Sequence, residues 1–576
     1  MSRIRISRSA VVLGMLSFLM GACSPISAGQ TLQKMTPTVI QPNPTTAATA
    51  APTATMAPTA DPGYTLWVSS AVPDGLRKTI TLPPQVSVID FAVPDSFRLE
   101  PVSADVTGRS QVSSAAWVYA LVAPFPTITD QVSLADLKDA WQGKPGVVFT
   151  AHPILVDPST KAAIETLFGT AAGGGVHVMP GDQILETAWQ DMTSWAIVPF
   201  ESLAPRWKVL RVDGSSPYDK KFDAALYALT VHFSLDGPME RAAAFQAAAG
   251  LARPLGLAAT NRDPDKLTVV VMTGVTALVR STANKMDTKG ITYPGRDIGD
   301  WLRDADIAHV SNEVSFDPNC PPGNPNQTSL QFCSRPEYIG LLDDVGVDVV
   351  ELSGNHLNDW SRKALMYTLD LYDQHHIQYF AGGRNIEEAR KALLIENHGN
   401  KIAFIGCNPP GPDFDWATDT GAGAAPCDLD WEAGEISRLR AEGYLPIATF
   451  QYNESYGYLP GAWQIRDFRK MSAAGAVVVS GSQAHFPQTF EFDQGNLIHY
   501  GLGNLFFDQM APIIDGVRIH GTEREFLDRH IFYDGRYLGT DLLTAMLEDY
   551  AKPRPMTADE RGSLLQDVFK ASGWLK

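Results

Sequence analysis

Val347-Asp348-Val349-Val350-Glu351-Leu352-Ser353-Gly354-Asn355-His356-Leu357-Asn358-Asp359 is a short apolar run that breaks into a polar cluster. A β-branched run of this length reads as a buried strand, and the cluster as the loop at its carboxyl end. The same pattern flanks it. Leu267 to Met272 runs into Thr273-Gly274-Val275, and Ile307 to Val310 into Ser311-Asn312-Glu313. Ile447 to Phe450 runs into Gln451-Tyr452-Asn453-Glu454, and Ala476 to Val479 into Ser480-Gly481-Ser482-Gln483-Ala484-His485. Ligands of open α/β sheets gather at such strand ends, so these five loops hold the candidate chemistry.

The chain around this core is too long, at 576 residues, for one hydrophobic core. Its 46 basic and 64 acidic residues give a net charge of −18, which argues against nucleic acid as a partner. Arg3, Arg5 and Arg8 precede the apolar run Ala10 to Met20 and then Gly21-Ala22-Cys23, the three parts of an export signal. The run is too short to span a membrane. The small pair before Cys23 resembles a lipobox, which implies lipidation of Cys23 and a membrane-anchored, extracytoplasmic protein of the cell envelope.

The expected organisation is a signal over 1–23, a disordered Thr/Pro/Ala-rich tether over 24–63 and an α/β domain over 64–240. A helical connector over 241–266, a second domain over 267–509 and a C-terminal extension over 510–576 follow. In an oxidising compartment the remaining cysteines suggest two local disulfides, Cys320 with Cys333 and Cys407 with Cys427, with four buried free thiols as the alternative.

Within 64–240, Trp117 to Ala123 with Pro124-Phe125-Pro126, the capping signal Ser133 to Asp136 before Trp141, and Trp195 to Leu203 resemble type 2 periplasmic solute-binding proteins. The five loops, followed by His499-Tyr500-Gly501-Leu502-Gly503-Asn504-Leu505-Phe506-Phe507-Asp508, resemble the bacterial capsule-synthesis CapA family. That family is associated with poly-γ-glutamate and related to calcineurin-like metallophosphatases. The resemblance implies an α/β chain, with a periplasmic-binding-like domain followed by a metallophosphatase-like domain of two mixed β-sheets flanked by helices.

The carry-over of site residues is partial. Where the family has an acidic residue after the first-strand glycine, this chain has Val275. The family's Asn-Leu-Glu is matched by Asn312-Glu313, and its Asn-Asn-His by Asn355-His356 followed by Asp359. Gln451-Tyr452-Asn453 replaces a histidine motif, and of a three-histidine motif only His485 is kept. The resemblance thus implies Glu313, Asn355, His356 and His485 as ligands of one divalent ion (Mn, Zn, Mg or Ca), or no metal at all. His356 oriented by Asp359 is the catalytic candidate.

Replacing imidazoles by carboxamides exchanges metal affinity for directional hydrogen bonding, which suits a sugar hydroxyl or a peptide-like amide. Asn312, Gln451, Tyr452, Asn453 and Gln483 are therefore substrate-binding candidates. Blander roles stand beside these. Asn355 and His356 could satisfy loop backbone, Asp359 could cap the helix around Leu365, and His485 could be a satisfied buried histidine. Two functions are in competition. One is a lipid-anchored factor in synthesis, attachment or processing of an extracellular anionic polymer, a metal-assisted hydrolase or transferase if catalytic, working with the polymer or its synthesis machinery. The other is a non-catalytic two-module scaffold or receptor for a solute and a polymer.

Overall fold

The strand Leu267–Thr273 is buried at every position and lies inside an eight-stranded mixed sheet. On one side run the parallel strands Ile307–Asn312, Val349–Glu351 and Gln378–Phe380. On the other run the antiparallel strands Arg524–Tyr533 and Arg536–Glu548, with Lys552–Pro555 beyond them. The computed structural model describes residues 63–575 except 103–107, 150–152 and 250–252, so the export signal, Cys23 and the tether up to 62 lie outside the described residues.

A six-stranded sheet faces the first, in the order Leu393–Asn397, Asn400–Cys407, Leu445–Gln451, Val478–Ser482, Asn496–His499, Phe490–Asp493. Val270, Met272, Ile307, Val349 and Phe526 meet Phe404, Ile447, Val478 and Leu497 in one core between the sheets. Val269 and Val271 point out of the opposite face of their strand into a second core. Burial on both faces explains why these strands read as continuous apolar runs rather than as alternating ones. Helices Leu429–Ala441 and Ala462–Ala474 pack on the six-stranded sheet. The fold class is α/β, with the expected pair of mixed sheets flanked by helices.

The earlier part of the chain builds a nine-stranded mixed sheet around the long strand Arg109–Pro124. Ser133 caps the helix Leu134–Trp141 by accepting from Asp136 N, as its sequence predicts. The connector expected to be helical over 241–266 opens within the helix Met239–Ala249. Pro254 and Gly256 then allow only a short 3-10 turn. The described residues form one compact unit. Arg561 grips Asp130 at 2.7 and 2.8 Å, and Arg536 donates to the carbonyls of Glu201 and Leu203 at 2.8 and 2.9 Å. Both expected disulfides are formed, Cys320–Cys333 and Cys407–Cys427.

Candidate functional site

Four of the five strand-end loops meet at one side chain. Gln451, the last residue of Leu445–Gln451, is fully buried. Its Nε2 donates to Glu313 Oε2 at 2.9 Å, reaches Asn355 Oδ1 at 3.4 Å and donates to Gln483 Oε1. Gly354 makes the approach feasible, because a Cβ there would lie 2.4 Å from Glu313 Cα. Gln483 and His485 both hold left-handed backbone, with φ of 74° and 51°, in the loop that delivers Gln483 to the centre.

His356 stands beside this hub. Its Nδ1 lies 2.7 Å from Asp359 Oδ2, which also accepts from Phe332 N at 2.9 Å. A carboxylate can only accept, so Nδ1 carries the hydrogen and Nε2 is left free among the described residues. Burial opposes charge on the imidazole, but the Asp359 bond and the nearby Glu313 outweigh it and raise its pKa. Ser361, not Asp359, caps the helix Arg362–Gln374 by accepting from Ala364 N.

Asp415 is part of this neighbourhood and has no motif to announce it. It is fully buried, accepts from Asn358 N at 2.6 Å and has no partner for Oδ2. Burial, with Asp359 nearby, pushes its pKa up to about 7. Its only local signal is an acidic residue in an aromatic turn, Phe414-Asp415-Trp416, and such turns are common.

The other candidates fall elsewhere. His485 bonds through Nδ1 to Asn504 Oδ1 at 2.8 Å and packs against Phe507, with no bond to the Gln451 hub. Asn312 is buried and spends its amide on Val314 O and the Tyr372 hydroxyl, at 2.9 and 2.8 Å. The Tyr452 hydroxyl donates to Asp467 at 3.0 Å inside the six-stranded sheet's helical layer. These bonds commit the Asn312 amide nitrogen and the Tyr452 hydroxyl hydrogen to internal partners. Asn453 is exposed.

A polar layer lies between the sheets below the hub. Ser311 and Ser482 hydroxyls meet at 3.2 Å, and Glu351 accepts from Ser353. His309 Nε2 is 3.6 Å from Glu351, too far for a hydrogen bond, and neither ring nitrogen has a partner. Burial drives the His309 pKa down to about 3, which keeps its imidazole neutral, and raises that of Glu351.

The four residues implied as metal ligands do not fit a divalent ion as they stand. Glu313 is the only carboxylate among them, and the oxygens of Glu313 and Asn355 are aimed at an amide nitrogen instead. Both imidazoles engage Nδ1 and keep Nε2 available, as a ligating histidine does, but His485 makes no bond to the cluster. Among the described residues, one group of three His, Cys, Asp or Glu side chains has ligand atoms within 4.8 Å of one another: Cys407, Cys427 and Glu432. Its two sulfurs are joined in a disulfide.

Comparison with known proteins covers this part of the chain. Residues 269–509 match the family model described as bacterial capsule synthesis protein PGA_cap. The capsule biosynthesis protein CapA of Bacillus anthracis is 22% identical over 257 residues, which is 43% of this chain and 62% of that protein. The PGA biosynthesis protein CapA of Bacillus subtilis (strain 168) is 25% identical over 182 residues, 31% of this chain and 48% of that protein. The chain therefore spans less than two thirds of the length of either relative. Among solved structures, a hypothetical protein from Thermus thermophilus aligns with 15% identity and a TM-score of 0.31, over 49% of this chain and 100% of that one. An ABC-type phosphate transport receptor from Vibrio cholerae aligns with 12% identity and a TM-score of 0.27, over 33% and 94%.

Proposed function

We propose, from the match of residues 269–509 to the bacterial capsule synthesis protein family model, that this chain acts at the cell envelope on an extracellular anionic polymer of the poly-γ-glutamate kind. Its part is to hold the polymer during synthesis or attachment, anchored through a lipid on Cys23. Among the described residues no helix is long and apolar enough to cross a membrane.

The observation that carries this reading is the hub itself: three neutral carboxamides and one carboxylate in a closed hydrogen-bond cluster, with His356 beside it. Such a cluster positions hydrogen-bond donors and acceptors. His356, held by Asp359 with Nε2 free and its pKa raised, offers a cationic donor to a polymer carboxylate or amide oxygen.

The test is titration of the full chain with poly-γ-glutamate by calorimetry, with the polymer's length followed by size-exclusion chromatography. The expected outcome is binding that weakens about tenfold in His356→Ala, the loss of one charged hydrogen bond, and that fades as pH rises through the His356 pKa. Polymer length should stay constant. Shortening by the wild-type chain that stops in His356→Ala would make the protein a hydrolase instead.

A second reading adds solute capture. A cavity of about 250 Å³ lies where Phe125 and Asp130 of the proline loop meet Asp541 and Arg561. Its cations are paired, Lys208 with Asp130 at 2.7 Å and Arg211 with Asp219 at 2.6 Å. That pairing suits a small ligand of low net charge.

A further inference from the structure

The direction of the Gln451 amide is not arbitrary. If the group were reversed, its oxygen would face the Glu313 carboxylate at 2.9 Å, acceptor against acceptor. The observed direction leaves Gln451 Oε1 buried without a partner. A carboxamide accepts that penalty only where its nitrogen is held more strongly than its oxygen is missed. Three oxygens, from Glu313, Asn355 and Gln483, converge on Nε2 from three separate strand-end loops. Convergent oxygens of this kind are what a hard cation requires, but here they surround an NH2 group whose hydrogens carry only partial positive charge.

We infer that the Gln451 carboxamide nitrogen takes the place of a divalent cation in this centre, so that the cluster is held together without metal. The inference rests on the reading that this hub is the functional centre, and it adds what that reading leaves open, the agent that organises it. A single carboxylate matches the partial charge of an amide and falls short of the charge on a divalent ion. One side-chain change should alter that balance. Gln451→Glu places a second carboxylate opposite Glu313 while keeping the oxygens of Asn355 and Gln483, and so turns a cluster closed by an amide into a cation site.

The experiment measures metal content in the full chain after equilibration with Mn, Zn, Mg and Ca and desalting, with melting temperature in chelator and in each ion. Wild type should hold no stoichiometric metal, and chelator should leave its melting temperature unmoved. Gln451→Glu should retain a cation at close to one per chain and melt higher in that ion than in chelator. The double variant Gln451→Glu/Glu313→Gln should lose both effects.

Near-stoichiometric metal in the wild type that disappears in Glu313→Gln would overturn the inference, and so would a folded Gln451→Glu chain that takes up none. Should Gln451→Glu fail to fold in every ion, the wild type against Glu313→Gln decides alone. Metal content and polymer binding are separate readouts. A metal-free wild type that ignores the polymer would sink the proposed function and leave this inference standing.

Discussion

Asp415 and His356 hold protons for different reasons, and both make stability depend on pH in the same direction. Asp415, at about 7, stays neutral in the fold while the unfolded chain ionises from about 4 upward, so folding loses stability as pH rises through that window. His356, raised above its ordinary value, contributes stability that is complete below about 6.5 and is lost as pH rises through its folded value. His309 and His530 act oppositely. Burial lowers them to about 3 and about 4, so they cost stability as pH falls below about 6.5. Asp415→Asn keeps the oxygen that accepts from Asn358 N and removes the charge. It should flatten the decline between about pH 4 and 7 and stabilise the chain at neutral pH by roughly 2–4 kcal/mol. Urea unfolding at several pH values checks this, and an unchanged slope would assign the decline to other groups.

The strand ends impose a tighter requirement than the strands themselves. Met272 or Val349 needs only apolar neighbours, which both faces of its sheet supply. The turn after Val349–Glu351 must instead bring Asn355 to Gln451 while passing over Glu313, and Gly354 is the residue with no atom to collide there. Gly354→Ala should therefore cost about 1–3 kcal/mol, as overpacking does. It should also push Glu313 and Asn355 apart and weaken polymer binding along with stability. Calorimetric melting beside the polymer titration checks both effects, and a variant equal to wild type in both would show the loop to be more yielding than its spacing implies. Gln483 carries a related demand, since its left-handed backbone is uncommon outside glycine, asparagine, aspartate and histidine.

The described residues are joined through aromatic packing as well as ion pairs. Phe125, from the end of the long strand in the nine-stranded sheet, meets Phe490, Phe492, Phe569 and Trp574 with ring centroids 5.2–6.0 Å apart. A ring shared in this way couples the sheets into one folding unit. Phe125→Ala should lower stability by about 3–5 kcal/mol, the usual cost of removing a buried ring, and should shift a single cooperative transition rather than split it. Denaturant unfolding followed by tryptophan fluorescence and by circular dichroism distinguishes the cases. Two separated transitions in the wild type would mean that the sheets fold independently.

The order of strands and helices, the two cysteine pairs and the capping of the helix at Ser133 were legible from the chain alone, because apolar period, loop composition and side-chain caps are local properties. So was the placement of Glu313, Asn355, Gln451 and Gln483 at strand ends. What the chain could not decide was where each polar group finds its partner. Asp359 had two eligible roles, and the structure gave it to His356 and left the cap to Ser361. His485 had two eligible roles, and the structure shows its Nδ1 bonded to Asn504. Asp415 reaches the neighbourhood from a loop 57 residues beyond Asn358, and Gln451 meets Glu313 across 138 residues. Apolar burial is non-directional and survives translation into a pattern, whereas a hydrogen bond exists only at one distance and angle, which the tertiary structure alone sets.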